Sequence, residues 1–126
     1  MRLDYSYLRE VMLAIESAPY PVTARFTIEG LIDSSPKLQT HNIDETFFVI
    51  TQLEQAGFVN ADINPQIDGT TISQLTFPGN EFLQNIRDDK VWKKTLRELG
   101  KVGGSASITV LSGLAQAAMT NYLNLG

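Results

Sequence analysis

The residue types that could perform chemistry are scarce in this sequence of 126 residues. His41 is the only histidine, and there is no cysteine. An imidazole can act as a general base or a metal ligand, but either role needs a partner at an informative spacing. No second histidine, cysteine or well-spaced carboxylate accompanies His41, so we expect it to be a turn or surface residue. Without cysteine there is also no disulfide framework, thiolate zinc site or thiol nucleophile.

Two groups of acidic residues resemble a calcium loop and a catalytic acid-base pair, but neither meets the requirements of such a site. Residues 62–69 carry oxygen-bearing side chains as a calcium loop does, but Ile67 and Ser73 stand where that loop needs Gly and Glu. Asp88 and Asp89 are adjacent, so on a helix they diverge by about 100° and cannot form a facing acid-base pair. We expect one of them to cap a helix. Since hydrolase elbows, phosphate loops and dinucleotide fingerprints are also missing, the sequence predicts a non-enzymatic protein with no metal or cofactor.

The basic residues offer one candidate surface for nucleic acid. Ten Lys and Arg against fourteen Asp and Glu give a net charge of -4, which provides no general attraction to phosphate backbones or anionic lipid. Five basic residues nevertheless lie close together in the sequence: Arg87, Lys90, Lys93, Lys94 and Arg97. Three of them share a helical face, so phosphate contacts are one hypothesis and a solvated helix face is the alternative.

Apolar spacing predicts the elements that position these residues. Residues 4–18 form a predicted helix with one apolar face, ended by two prolines. Residues 22–29 alternate as a half-buried strand, closed by Gly30. Ser35 and Pro36 could begin a short helix, as its cap and first residue.

The next helix has stronger signals. Asp44 is the predicted N-cap, with Ile43 packing against Phe48, and the buried face comprises Phe47, Ile50 and Leu53. Gly57 is expected in the left-handed conformation after the last turn, with Phe58 folding back as in a Schellman ending.

A hairpin and three more helices complete the prediction. Residues 58–63 and 70–77 form its two arms around an Asp-Gly turn. Thr76 is expected to cap a helix whose inward residues are Phe82, Leu83 and Ile86. Another helix follows from Asp89, with Trp92, Leu96 and Leu99 on one side. The order helix, strand, short helix, helix, hairpin is that of an α+β winged helix-turn-helix domain. We assign it, with the helices after the wing, to residues 1–100, and a Gly-Gly hinge with a C-terminal helix to 101–126.

Four stretches of the chain resemble a known family. They are the run from Leu75 to Thr95, Leu13–Glu16, Ala56–Val59 and Gly103–Ser105. The sequence is similar to an uncharacterised family of bacterial and prophage proteins, a domain-of-unknown-function family. The resemblance implies a winged-helix fold and a phage or mobile-element origin, and it supplies no catalytic residues.

The second helix of such a motif commonly enters the DNA major groove. Here residues 42–55 contain no Lys or Arg, and Asp44 and Glu45 would repel phosphates. We therefore predict a regulatory or interaction module that meets a protein partner through Asp44, Glu45 and Gln52. The alternative is a DNA-binding regulator with atypical contacts through the basic cluster.

The last helix carries a wide apolar stripe. Its residues are Ile108, Leu111, Ala115, Ala118, Tyr122 and Leu125. This stripe could cover the domain's own core or form a homodimer seam, and we expect a homodimer. A membrane role is disfavoured, because no Lys or Arg follows residue 105 and no run of about 18 apolar residues occurs. With no signal peptide, we expect a cytoplasmic protein.

Overall fold

A computed structural model describes residues 2–21, 24–103 and 107–125. Within these ranges the protein is mixed α+β, with six α-helices, two 3-10 turns and one three-stranded antiparallel sheet. In chain order the elements are α1 (Tyr5–Ser17), β1 (Phe26–Thr27), α2 (Ile28–Ser34), a 3-10 turn (Leu38–Thr40), α3 (Ile43–Gln55), β2 (Val59–Asp62), a 3-10 turn (Ile67–Gly69), β3 (Thr71–Leu75), α4 (Phe77–Ile86), α5 (Asp89–Lys101) and α6 (Ile108–Leu125). The chain divides into two compact units, Met1–Gly79 and Asn80–Gly126.

The sheet belongs to the first unit. Its strand order is β1-β3-β2, so β3 pairs antiparallel with both neighbours. Phe26 lies opposite Ile72, and Val59 lies opposite Leu75. All four side chains are buried, which places the apolar positions of the three strands in the core of this unit.

Helix α1 confirms its prediction. Asp4 is the N-cap and accepts a hydrogen bond from the Tyr7 amide at 3.0 Å. The helix ends at Ser17, two residues before Pro19. Its predicted apolar face is buried: Leu8, Val11, Met12 and Ile15.

The strand predicted over residues 22–29 is wrong over most of its length. Val22 and Thr23 lie outside the described residues, and only Phe26–Thr27 pair as strand. The Thr27 hydroxyl accepts the Gly30 amide at 3.0 Å and starts α2, so Gly30 lies inside a helix instead of closing a strand. The alternation misleads because Ile28 is also buried in a helical i, i+3 pair with Leu31.

The short helix predicted from Ser35 begins later than expected. Ser35 instead ends α2, with its amide bonded to the Ile32 carbonyl at 3.1 Å. A 3-10 turn follows over Leu38–Thr40, and Leu38 is buried. Pro36 therefore stands between two helical segments.

Helix α3 starts earlier than predicted. Asn42, not Asp44, is its N-cap, with the Asn42 Oδ1 accepting the Glu45 amide at 2.8 Å. Ile43 is thus the first helical residue and cannot be the flanking residue of a staple to Phe48. The buried face comprises Thr46, Val49, Ile50 and Leu53, and Phe47 is half-buried.

The ending of α3 confirms the Schellman prediction. Gly57 has a φ of 79°, in the region that favours glycine. The Phe58 amide bonds to the Leu53 carbonyl at 2.9 Å, and the Gly57 amide bonds to the Glu54 carbonyl at 3.0 Å. These are the two hydrogen bonds that define the motif.

The predicted hairpin is present as β2 and β3. Its two ends are joined by contacts among Gly57, Phe58, Thr76 and Gly79, which we call the clasp. The Thr76 amide donates to the Phe58 carbonyl at 3.0 Å, and the Thr76 hydroxyl donates to the Gly57 carbonyl at 2.6 Å. The Thr76 hydroxyl also accepts the Gly79 amide at 3.1 Å, which confirms Thr76 as the cap of α4. A β-carbon at Gly79 would lie 2.0 Å from the Phe58 carbonyl oxygen, so no other residue fits there.

The second unit contains α5 and α6, which pack against each other. Asp88 caps α5 by accepting the Lys90 and Val91 amides at 2.8 Å and 3.2 Å, as predicted for one of the two aspartates. The buried residues of α5 are Val91, Trp92, Thr95 and Leu99, whereas Leu96 is half-buried. The α4 residues expected to face inward, Phe82, Leu83 and Ile86, are all buried.

Four residues of the predicted α6 seam are buried within this single chain: Ile108, Leu111, Ala115 and Ala118. Tyr122 is 40% exposed, and the Leu125 side chain lies outside the described part of the structure. A homodimer through the four buried residues would require α6 to expose them first. None of the helices over the described residues has the length and apolar character needed to cross a membrane.

Candidate interaction surfaces

The outward face of α3 is the first candidate surface. Successive residues of a helix turn by about 100°, so the face opposite the buried residues centres on Asp44 and Phe48. Asp44 is exposed, and Phe48 and Gln52 are half-buried. These three residues stand at i, i+4 and i+8 and form a continuous row, which we call the α3 row. The row combines a carboxylate, an aromatic ring and an amide.

Glu45 has a different environment from the α3 row. Its Oε2 lies 2.8 Å from the His41 Nδ1, an ion pair when His41 is protonated. The His41 ring also stacks on the Tyr7 ring, with centroids 3.7 Å apart and an interplanar angle of 20°. His41 directly follows the 3-10 turn, which agrees with the turn alternative of its prediction. Its ring is held on both sides and its side chain is only 29% exposed, so it is not a freely exposed surface residue.

Tyr7 connects α1 to α3 through a buried hydrogen bond. Its hydroxyl lies 2.6 Å from the Thr46 hydroxyl, and Thr46 also donates to the Asn42 carbonyl at 3.2 Å. Burial raises the pKa of Tyr7, the Thr46 hydrogen bond opposes that rise, and the charge of Glu45 adds to it. The N-terminal half of α3 is therefore fixed in place by polar contacts as well as by its apolar face.

An open cleft of about 310 Å³ lies beside this polar cluster. Lys37 and Glu10 form an ion pair there at 3.6 Å. The Thr40 hydroxyl donates to the Lys37 carbonyl at 2.9 Å. The lining residues are Asp4, Ser6, Tyr7, Glu10, Lys37, Thr40 and His41. Across the described ranges no group of His, Asp and Glu could hold a metal ion.

The second candidate surface is the solvent face of α5. Lys90, Lys93, Lys94 and Arg97 fall within about 100° of one another around the helix axis, opposite the buried Trp92 face. We call these four residues the basic stripe. Lys94 is half-buried and the other three are exposed. Among the described residues, no carboxylate pairs with any of the four.

Two neighbouring residues frame the basic stripe. Lys101 continues the same face by one turn and is paired with Glu98 at 3.1 Å. Arg87 is exposed but precedes α5, and it has an interaction of its own. Of the five residues in the predicted basic cluster, four therefore line one helix face and one stands apart.

Sequence reasoning identified Asp44 and Gln52 but missed Phe48 as their neighbour on the surface. The signal lies in the spacing from Asp44, because Phe48 and Gln52 follow it at i+4 and i+8 and must share its helix face. The earlier start of α3 hides this signal, since the predicted cap at Asp44 made Phe48 a staple partner.

The residue pattern of one protein family covers most of this chain. The model of a family described as "Hypothetical protein (DUF2513)" matches residues 2–105. The chain belongs to this family. That match confirms the resemblance to an uncharacterised domain family, and it spans both candidate surfaces. No curated protein and no solved structure matches the chain with significant similarity.

Proposed function

We propose that this DUF2513 protein is a winged-helix module that acts in the cytoplasm by binding a protein partner. The order of α1, β1, α2, α3, β2 and β3, with sheet order β1-β3-β2, supports the winged-helix assignment. In this assignment α2 and α3 form the helix-turn-helix, and the β2–β3 hairpin is the wing. A phage or mobile-element origin, which the family resemblance implies, fits a protein that interferes with a host protein.

The α3 row is the observation that carries the proposal. A helix that enters a DNA groove needs cations beside its base-reading residues, because phosphate contacts fix its register. Helix α3 has three Asp and Glu and no Lys or Arg. Its half-buried Phe48 is flanked by Asp44 and Gln52, a combination of apolar and polar groups that suits a protein interface.

The geometry defines what the partner should present. Phe48 supplies an apolar anchor, so the partner needs an apolar pocket near its centre. Asp44 is exposed at the N-terminal end of α3 and should meet a Lys or Arg. The first unit as a whole also favours a basic partner surface, because its four Lys and Arg against ten Asp and Glu give it a formal charge of -6. No catalytic residue or cofactor takes part in this function.

Affinity capture from a native host lysate tests the proposal when paired variants are compared. The double variant Asp44→Asn, Phe48→Ala removes the charge and the anchor of the α3 row. The matched control Ile32→Ala, Asp33→Asn likewise removes one large apolar side chain and one carboxylate charge, on α2, where Ile32 is half-buried and Asp33 exposed. We expect quantitative mass spectrometry to find a protein that the wild type and the control retain and the α3 variant loses. Equal capture by all three proteins would refute the α3 row as the binding surface.

A further inference from the structure

We propose that the basic stripe on α5 binds the phosphate backbone of duplex nucleic acid without reading its sequence. This function is independent of the α3 row and uses the other compact unit. The unit Asn80–Gly126 has six Lys and Arg against four Asp and Glu, a formal charge of +2. Its cations are concentrated on α5, which contains five of the six.

The electrostatics of the stripe favour an external anion. Neighbouring positions i, i+3 and i+4 on a helix are usually stabilised by opposite charges, and like charges there repel. Lys90, Lys93, Lys94 and Arg97 are related by these spacings, and none has a carboxylate partner among the described residues. The two acidic residues of α5, Asp89 and Glu98, lie to either side of the stripe rather than within it. A polyanion laid along the stripe would relieve the repulsion.

The residue types favour phosphate contacts over base recognition. Three of the four residues are Lys, which binds phosphate as a point charge, and only Arg97 has the planar fork that reads guanine in two contacts. Helix geometry spreads the stripe over about 10 Å, and over about 16 Å with Lys101. That length equals the rise along the duplex axis of three to five phosphates of one strand, at about 3.4 Å for each phosphate.

Other polyanions fit the surface less well. Single-stranded nucleic acid is bound largely by stacking on aromatic rings, but the one aromatic residue of α5, Trp92, is buried on the face opposite the stripe. A membrane-bound amphipathic helix needs its apolar face free to enter the lipid, and Val91, Trp92 and Leu99 are all buried. Point charges along one helix face suit the closely spaced phosphates of a duplex backbone.

Fluorescence anisotropy with a labelled duplex of about 20 base pairs and random sequence tests this proposal. Four phosphate contacts predict a slope of log affinity against log salt of about -3.6, which is a loss of about 150-fold between 50 and 200 mM salt. The variant Lys90→Gln, Lys94→Gln, Arg97→Gln should reduce the slope to about -0.9, a loss of about threefold over the same range. Its melting temperature should equal or exceed that of the wild type, because like-charge repulsion is removed.

The matched control removes three cations from the first unit by Arg2→Gln, Arg25→Gln and Lys37→Gln. It has the same total charge as the stripe variant, and we expect it to keep the wild-type slope. Absence of wild-type binding at 50 mM salt, or an equal loss in both triple variants, would overturn the proposal. Polyglutamate should compete poorly with the duplex. Equal competition at equal charge would assign the stripe to an acidic polypeptide and overturn the nucleic-acid proposal.

Discussion

Helices α3 and α5 are built alike, but their solvent-facing surfaces carry charges of opposite sign. Each has 13 residues, and each begins at a polar cap, Asn42 or Asp88, that accepts first-turn amides. Each also buries a threonine that donates to the carbonyl four residues earlier, Thr46 to Asn42 and Thr95 to Val91. Yet α3 has three acidic and no basic residues, whereas α5 has five basic and two acidic ones.

The residues that form these two helices differ from the residues that could bind a partner. Caps, buried faces and helix endings decide where α3 and α5 lie, and these signals are nearly the same in both. The solvent-facing residues contribute little to folding, since exposed substitutions usually change stability by less than about 0.5 kcal/mol. They are therefore free to specify different partners, a protein for α3 and a polyanion for α5 in our proposals.

The largest expected effect tests whether the two helices depend on burial to the same degree. Leu53 in α3 and Leu99 in α5 are 0% and 4% exposed. Leu53→Ala and Leu99→Ala should each lower the free energy of unfolding by about 2–5 kcal/mol, because each removes buried methyl groups and leaves a cavity. Urea unfolding measures both. Leu123→Ala is the control, since Leu123 is 68% exposed, and it should cost less than about 0.5 kcal/mol. If Leu99→Ala left the free energy of unfolding unchanged, α5 would not depend on burial as α3 does.

Replacing the two buried threonines, Thr46 and Thr95, should lower the free energy of unfolding by different amounts. Thr46→Val removes the partner of the buried Tyr7 hydroxyl, and leaving that group unpaired should cost about 1–3 kcal/mol. Thr95→Val removes a hydrogen bond within α5 without taking the partner from another buried side chain, so we expect a loss of no more than about 1 kcal/mol. Urea midpoints compare the two variants. Adding Tyr7→Phe to Thr46→Val should recover part of the loss, and no recovery would contradict the role assigned to the Tyr7 hydroxyl.

The smallest expected effect is a dependence of stability on pH that arises from Tyr7, the residue that contacts α3. Burial chiefly raises the pKa of Tyr7 above its ordinary value of 10.0 in the folded protein. The unfolded chain therefore loses this proton first, so Tyr7 does not lower stability below about pH 10 but does so as the pH rises further. Urea midpoints between about pH 8 and 11 should fall less for Tyr7→Phe than for the wild type. Tyr122→Phe, which removes a more exposed phenol, is the control and should behave as the wild type.

Local signals in the sequence predict much of the fold. The Asp4 cap, the Gly57 ending, the hairpin and the Asp88 cap each depend on residues a few positions apart, and all are present. The start of α2 was missed because Ile28 satisfies both a strand alternation and a helical spacing. The start of α3 was missed because Asn42 and Asp44 are both good caps, and only the folded chain selects between them.

Contacts between distant residues could not be predicted from periodicity. Tyr7 and Thr46 are 39 positions apart, so neither the hydrogen bond nor the nearby stacking of His41 has a local signal. The α6 stripe shows the same limit. Its apolar width correctly indicates a packed helix, but spacing alone does not reveal that its residues are buried in the same chain that bears α5.

The clasp at the base of the β2–β3 hairpin has a consequence for how this protein can diversify. Gly57, Phe58, Thr76 and Gly79 hold the two ends of the hairpin together whatever lies between them. Residues inserted at the exposed tip near Pro65 would lengthen a loop that is already closed, at about 0.6 kcal/mol for each doubling of its length. The β2–β3 hairpin can therefore accept changes of length and sequence at its tip, while position 79 admits only glycine.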